Sequence, residues 1–198
     1  GLFLIIVFFL FINFLEIYIP YVLILIYIVI LCEILFFFKN KKDKYLLLIF
    51  YLFISFICSE IFFIYYYEKY FFMLSVVLIV SFDTFSYFLG SLFGKKKLMP
   101  TISPNKTIIG FIFGLFFALI ISIIFNYFFK IFNLTTAILF SILVLFSAFI
   151  GDYIESYYKR LSKIKNSSNI IPGHGGLFDR LDSFVMGIIV ILIFSYFK

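Results

Sequence analysis

The sequence predicts an all-α fold: a polytopic membrane helix bundle of about seven transmembrane helices. Three observations carry this expectation. The 198 residues are 65% hydrophobic and 13% charged, with a mean hydropathy of +1.22. A soluble domain of this size needs far more charge on its surface. The apolar residues fall in several runs that match the roughly 20 residues a helix needs to cross a bilayer. Short alternating segments of the kind that build membrane β-barrels are not visible.

The spans read in order as 2–18, 20–38, 45–67, 70–92, 107–129, 133–155 and 182–198. The first has no basic residue before it, and no alanine precedes Ala118, so it reads as a retained helix and not as a cleaved leader. Glu16 and Pro20 separate it from the second. The connections are "KNKKDK" (39–44), "YEKY" (67–70), "FGKKKLMPTISPNK" (93–106), residues 130–133 and the long stretch 156–181. Cys32 and Cys58 lie inside apolar runs without disulfide or zinc spacing and read as small core hydrophobes. No internal repeat or soluble domain is visible, so residues 1–198 read as one integral membrane domain.

The cations are unevenly spread. Thirteen of the sixteen basic residues fall in the loops 39–44, 93–106 and 156–181; Lys69, Lys130 and Lys198 fall on the other side. By the positive-inside rule the three basic loops are cytoplasmic. Lysine-rich cytoplasmic loops are ordinary in membrane proteins, and the 39–44 loop reads equally well as one of these or as part of a functional surface. Only two arginines occur: Arg160 precedes the segment "PGHGGLFDRLD" (172–182) and Arg180 lies within it.

Three polar clusters face that predicted side. In "DTFSYFLGSLFGKKK", Asp83 lies within a span, where an unpaired carboxylate is expensive and calls for a partner, a metal or water. Glu16, Glu33, Glu60 and Glu68 sit nearer predicted ends. Gly90 and Gly94 have the spacing of close helix contacts, or end the helix. In "ISPNKTIIG", Ser103 reads as an N-cap and Pro104 as the first helical residue. That puts Lys106 in the first turn, either aimed with the free N–H groups at an anion such as phosphate or simply snorkelling. Gly110 and Gly114 repeat the small-residue spacing. In "GDYIESYYKRLSK", Asp152, Glu155, Ser156, Lys159, Arg160 and Lys163 share one helix face. They read as i,i+4 ion pairs on a wet face or as part of a site, and Asp152 at the membrane end of an apolar span favours the site.

The loop "NSSNIIPGHGG" then sets glycines around His174, the only histidine. Glycine permits backbone shapes that other residues refuse and lets N–H groups approach a ligand. Asp179 and Asp182 are three apart in the first turn of the following helix. With Asp152 they compose a divalent-metal and phosphate site, with Asp83 a further candidate ligand. His174 reads as a structural donor or as a catalyst.

Residues 156–182, "SYYKRLSKIKNSSNIIPGHGGLFDRLD", resemble the sequence pattern of phosphatidate cytidylyltransferases (CDP-diacylglycerol synthases). "SPNKT" is similar to that family's Ser-Pro-x-Lys-Thr segment, and "DTFSYFLGSLFGKKK" to its Asp-x-x-x-Tyr-x-x-Gly segment. The resemblance covers residues 83–182. Two positions depart from it: Asn166 stands where the family has Asp, and Ile109 stands where an acid precedes Gly110. Asn166 keeps an oxygen ligand and loses its charge.

The resemblance implies transfer of a cytidylyl group from CTP to phosphatidic acid, giving CDP-diacylglycerol and pyrophosphate. The implied site is cytoplasmic, in a multi-pass protein of the inner (plasma) membrane. The implied cofactor is Mg²⁺, with room for a second, monovalent cation. Asp152, Asp179 and Asp182 are the implied metal ligands, joined in catalysis by Lys159, Arg160 and Arg180. Ser103, Lys106, Ser156, Lys165, His174, Gly175 and Gly176 are the implied contacts to substrate phosphates. The partners are CTP, phosphatidic acid and the bilayer, without nucleic acid; a homodimer is compatible with the pattern. The chemistry agrees with a chain lacking a nucleophile–base pair, because a phosphate anion needs positioning and charge neutralisation more than a strong base. A CTP-dependent lipid-alcohol kinase is the competing enzyme reading. An ion or anion transporter is the reading from another class, but the inverted pair of broken helices seen in many carriers is missing.

Overall fold

The computed structural model describes residues 18–37, 42–170 and 175–197. The first predicted span, 2–18, lies almost wholly outside the described residues, as does His174. Six α-helices follow one another: α1 (Ile19–Phe37), α2 (Lys42–Ile61), α3 (Lys69–Phe93), α4 (Ile108–Phe129), α5 (Leu134–Leu161) and α6 (Phe178–Tyr196). A π-helical turn, Phe62–Tyr66, extends α2, and a two-stranded hairpin, β1 (Lys97–Met99) and β2 (Ser103–Thr107), joins α3 to α4.

Among the described residues, α1 to α5 are each long and apolar enough to cross a membrane. The chain is therefore a multi-pass membrane protein. Its surface agrees: Leu25, Leu47, Tyr127 and Phe128 are among many large apolar side chains left exposed, an arrangement that suits lipid and not water. The sixth helix opens with Asp179, Arg180 and Asp182, which leaves it a shorter apolar stretch.

The hairpin corrects the expected start of the fourth helix. Ser103 and Pro104 do not open it; they lie in β2, where Met99 pairs with Ser103 and Lys97 with Thr107. Proline's fixed φ and missing N–H are tolerated on an edge strand. The cap is instead Thr107, whose Oγ1 accepts from Gly110 N at 3.1 Å, so Lys106 projects from a strand end and not from a helical turn.

Helix α3 packs most extensively along α4, and α6 along α5. The first pair is close because a Cβ on Gly90, Gly110 or Gly114 would run into the opposite helix, in line with the expected small-residue contacts. The turn from α4 to α5 is held by buried Asn126: its Nδ2 donates to Phe132 O and its Oδ1 accepts from Phe132 N, each at 2.9 Å. One core cluster centres on Phe62, Phe71, Phe140, Leu74 and Ile188; a second gathers Tyr27, Ile30, Ile34, Leu48, Phe178 and Val185 from α1, α2 and α6.

Helix α5 has 28 residues, about 42 Å at ~1.5 Å per residue. The hydrocarbon core is about 30 Å thick. The last turns, from Asp152 onward, therefore emerge at the membrane face, six residues beyond the expected end at 155. The chain leaves the helix through Lys163, which takes a left-handed φ of 58°.

Candidate active site

The hairpin, the start of α2, the end of α1 and the segment after α5 meet at one end of the bundle. Arg160 Nε donates to Ile102 O at 2.9 Å, tying α5 to the hairpin. Tyr45 at the start of α2 and Ser162 after α5 share a hydrogen bond of 2.6 Å. Glu33 of α1 accepts from the segment that follows α5.

At this end Asp152 and Glu155 of α5 and Asp182 of α6 each offer a carboxylate oxygen, and the three oxygens lie within 4.8 Å of one another. Helical spacing aligns the first two. The third arrives because α5 carries Gly151 where the Asp182 backbone carbonyl passes, so that any Cβ there would collide with it. Glu155 is almost fully buried, and its Oε1 has no hydrogen-bond partner. A buried carboxylate oxygen without a donor is costly unless a cation serves it.

Two lysines supply charge. Lys106 forms an ion pair with Asp152 Oδ2, and its ammonium lies 5.4 Å from the centre of the Phe149 ring. Burial pushes the Lys106 ammonium below its ordinary value, and the carboxylates of Asp83, Asp182 and Glu155 oppose that shift. Lys159 Nζ lies 2.5 Å from Glu155 Oε2 and 2.7 Å from Asp179 Oδ1. Ser156 Oγ donates to Asp152 Oδ1 at 3.2 Å.

Asp179 sits beside the carboxylate cluster but outside it. Its Oδ2 accepts from Ser167 N and Gly176 N, both at 2.8 Å. Gly175 has φ 85°, and a Cβ there would stand 2.7 Å from that same oxygen. Gly175 and Gly176 thus fold the backbone around a carboxylate, with glycine permitting the left-handed φ at 175. Asn166 lies beside Gly175.

The remaining sequence candidates are dispersed. Ser103 stays in the hairpin. Lys165 is exposed. Arg160 is exposed and gives Nη1 to Ile164 O at 3.1 Å, so its guanidinium serves two backbone carbonyls, Ile102 and Ile164. Asp83 and Arg180 line an apolar cavity of about 610 Å³ whose walls include Leu23, Ile26, Phe63, Phe72 and Phe184.

Two acids at this end are not among the site residues the sequence suggests. The sequence shows Glu155 as one of several charges on a helix face, and its place three residues after Asp152 is the signal that pairs them. Glu33 reads as lying near a span end, and a carboxylate inside an apolar run, one turn before a basic loop, is its signal.

The fold and this cluster define a multi-pass integral membrane protein with a carboxylate-and-cation centre at one end of its helix bundle. The model of the cytidylyltransferase family matches residues 67–197, and the chain belongs to that family. Over 105 residues it is 44% identical to a phosphatidate cytidylyltransferase of Staphylococcus haemolyticus, covering 52% of this chain and 40% of that protein. Over 122 residues it is 37% identical to a phosphatidate cytidylyltransferase of Helicobacter pylori, covering 62% of this chain and 46% of that protein. The chain thus aligns with somewhat less than half the length of these curated relatives.

Proposed function

We propose that this chain carries the catalytic centre of a phosphatidate cytidylyltransferase, working at the cytoplasmic face of a cell membrane. The observation that carries the reading is the adjacency of two unlike sites. The Asp152–Glu155–Asp182 cluster, with Lys106 and Lys159, suits a metal-bound triphosphate. The apolar cavity whose lining includes Asp83 and Arg180 suits acyl chains with a phosphate head. The names of the relatives support both substrates.

In the reaction, a phosphate oxygen of phosphatidic acid attacks the α-phosphorus of CTP. The bond from that phosphorus to the oxygen bridging to the β-phosphate breaks, and pyrophosphate leaves. The attacking group is already an anion near neutral pH, so charge neutralisation and alignment dominate. Asp152, Glu155 and Asp182 are the oxygen set that would hold Mg²⁺, which supplies charge neutralisation to the triphosphate. Lys106 and Lys159 balance the carboxylates and turn toward phosphate oxygens. Asp179 orients Lys159 and orders the glycine turn, in contact with the metal set through that lysine. Arg180 receives the lipid phosphate in the cavity. Ser156 steadies Asp152. The hairpin with Ser103, the Arg160 tether, Lys165 and the backbone at Gly175 and Gly176 frame the nucleotide side.

The test is direct. Purified protein in mixed micelles receives CTP labelled at the α-phosphate, phosphatidic acid and Mg²⁺. The expected products are labelled CDP-lipid and pyrophosphate. Label recovered as CDP, with phosphorylated lipid alcohol when one is supplied, would establish the kinase reading instead.

A further inference from the structure

We infer that Glu33 is a positioning residue for the catalytic loop: helix α1 sets Asp179 through Ser167. Glu33 lies ahead of the stretch matched by the family model, residues 67–197. It is only 1% exposed in an otherwise apolar helix, where a carboxylate is expensive unless fully served.

It is fully served. Oε1 accepts from Ser168 Oγ at 2.6 Å and from Leu177 N at 2.8 Å. Oε2 accepts from Phe178 N at 2.9 Å and from Ser167 Oγ at 3.0 Å. Leu177 and Phe178 open α6, whose own residues give no side-chain cap, so Glu33 caps that helix from another helix. A carboxylate is favoured there by the free N–H groups and the helix dipole. A Cβ on Gly176 would strike Ser167 Oγ and both Glu33 oxygens, so a side chain there would displace the very groups that hold the loop.

The link to the centre is Ser167. Its Oγ lies 3.0 Å from Glu33 Oε2 and 3.1 Å from Asp179 Oδ2. A hydroxyl carries one proton, so the two carboxylates share one donor. Asp179 Oδ1 in turn takes Lys159, which also serves Glu155. Glu33 touches no reacting atom; it fixes the loop and the first turn of α6, and through them the carboxylate that orients Lys159.

The turnover part of this inference rests on the proposed reaction; the exchange part does not. Glu33→Gln keeps the shape, offers one acceptor oxygen in place of two and points an NH₂ at donors. Hydrogen exchange is followed by mass spectrometry in detergent. The amides of Ser167, Gly176, Leu177 and Phe178 are expected to exchange at least ~10-fold faster, the loss expected for a charge-assisted bond. Peptides from α4 and the middle of α5 are expected to stay within about twofold, since contacts distant from a change are usually unaffected. Turnover falls at least ~10-fold while KM for CTP stays within about threefold, the pattern of lost alignment.

Ser167→Ala is the milder second variant and carries the test if Glu33→Gln does not fold. It is expected to lower turnover, and in the double variant the two losses are expected not to add, because both act on one path. Unchanged exchange at 167–178, uniform loosening of every helix, or additive losses would overturn the inference. A wild-type protein inactive with CTP and phosphatidic acid would overturn the proposed reaction and leave the exchange result to decide Glu33.

Discussion

Lys159 on α5 donates to Asp179 on α6 across 2.7 Å, and both side chains are largely buried. The same ammonium serves Glu155. One cation therefore balances two carboxylates between the helices that build the centre. Breaking a buried pair from one side leaves uncompensated charge, at a cost of about 3–5 kcal/mol. Lys159→Gln is expected to lower the midpoint of thermal unfolding clearly and turnover at least ~100-fold, since it also removes a charge proposed to meet the substrate phosphates. Adding Glu155→Gln is expected to recover part of the midpoint and none of the turnover. An unaltered melting curve for Lys159→Gln would show that the pair contributes nothing to the fold.

The carboxylate cluster makes a graded prediction. Asp152→Asn and Glu155→Gln each remove charge from the set proposed to hold the metal, so each is expected to cost at least ~100-fold in rate and to raise the Mg²⁺ concentration needed for half activity. Asp179→Asn is expected to cost a similar rate with a smaller change in Mg²⁺ requirement, because its oxygens face Lys159, Ser167 and Gly176. Excess EDTA is expected to abolish turnover in all of them. Mg²⁺ titrations of the three variants separate the two roles, and equal shifts for all three would make Asp179 a ligand like the others.

Sidedness follows from the basic loops. The hairpin, the end of α1, the start of α2 and the segment after α5 converge on one end through Arg160–Ile102, Tyr45–Ser162 and Glu33–Ser168, so a single labelling site reports on all of them. Asn169 is exposed. Asn169→Cys, with Cys32 and Cys58 replaced by alanine, is expected to resist an impermeant thiol reagent in intact cells and to react after lysis. Ready labelling in intact cells would put the centre outside, away from CTP.

The helices were legible because lipid imposes long apolar runs, and the boundaries failed where that constraint ends. Helix α5 continues past 155 because its last turns leave the membrane and are held by charge; Asp152, Glu155 and Lys159 gave a helical spacing that the apolar-run count stopped short of. Ser103 and Pro104 have the chemistry of a helix start, and only the pairing with Met99 makes them a strand. Asp152 and Asp182 could be placed together from their positions at helix ends. The place of Glu33 could not, because 134 residues separate it from Ser167 and nothing local records such a contact.

Arg180 tests whether this chain uses arginine for more than charge. Lysine fills basic positions 14 times and arginine twice, so an arginine kept only as a membrane-face anchor has a ready substitute. Arg180 lines the apolar cavity, as does Asp83, and the proposed reading has a lipid phosphate meet it there. A guanidinium grips phosphate through a planar two-point fork, and lysine keeps the charge but loses the fork. A lost charge-assisted hydrogen bond costs about 1.5–3 kcal/mol, so Arg180→Lys is expected to lower kcat/KM for phosphatidic acid roughly 10- to 150-fold. If the contact tightens as charge develops on the transferring group, most of the loss appears in kcat. Lys163→Arg is the control. Lys163 is exposed at the turn after α5, with a backbone φ of 58°, and arginine is expected to be tolerated there. Full activity in both variants would reduce Arg180 to an anchor and leave the lipid phosphate to another cation.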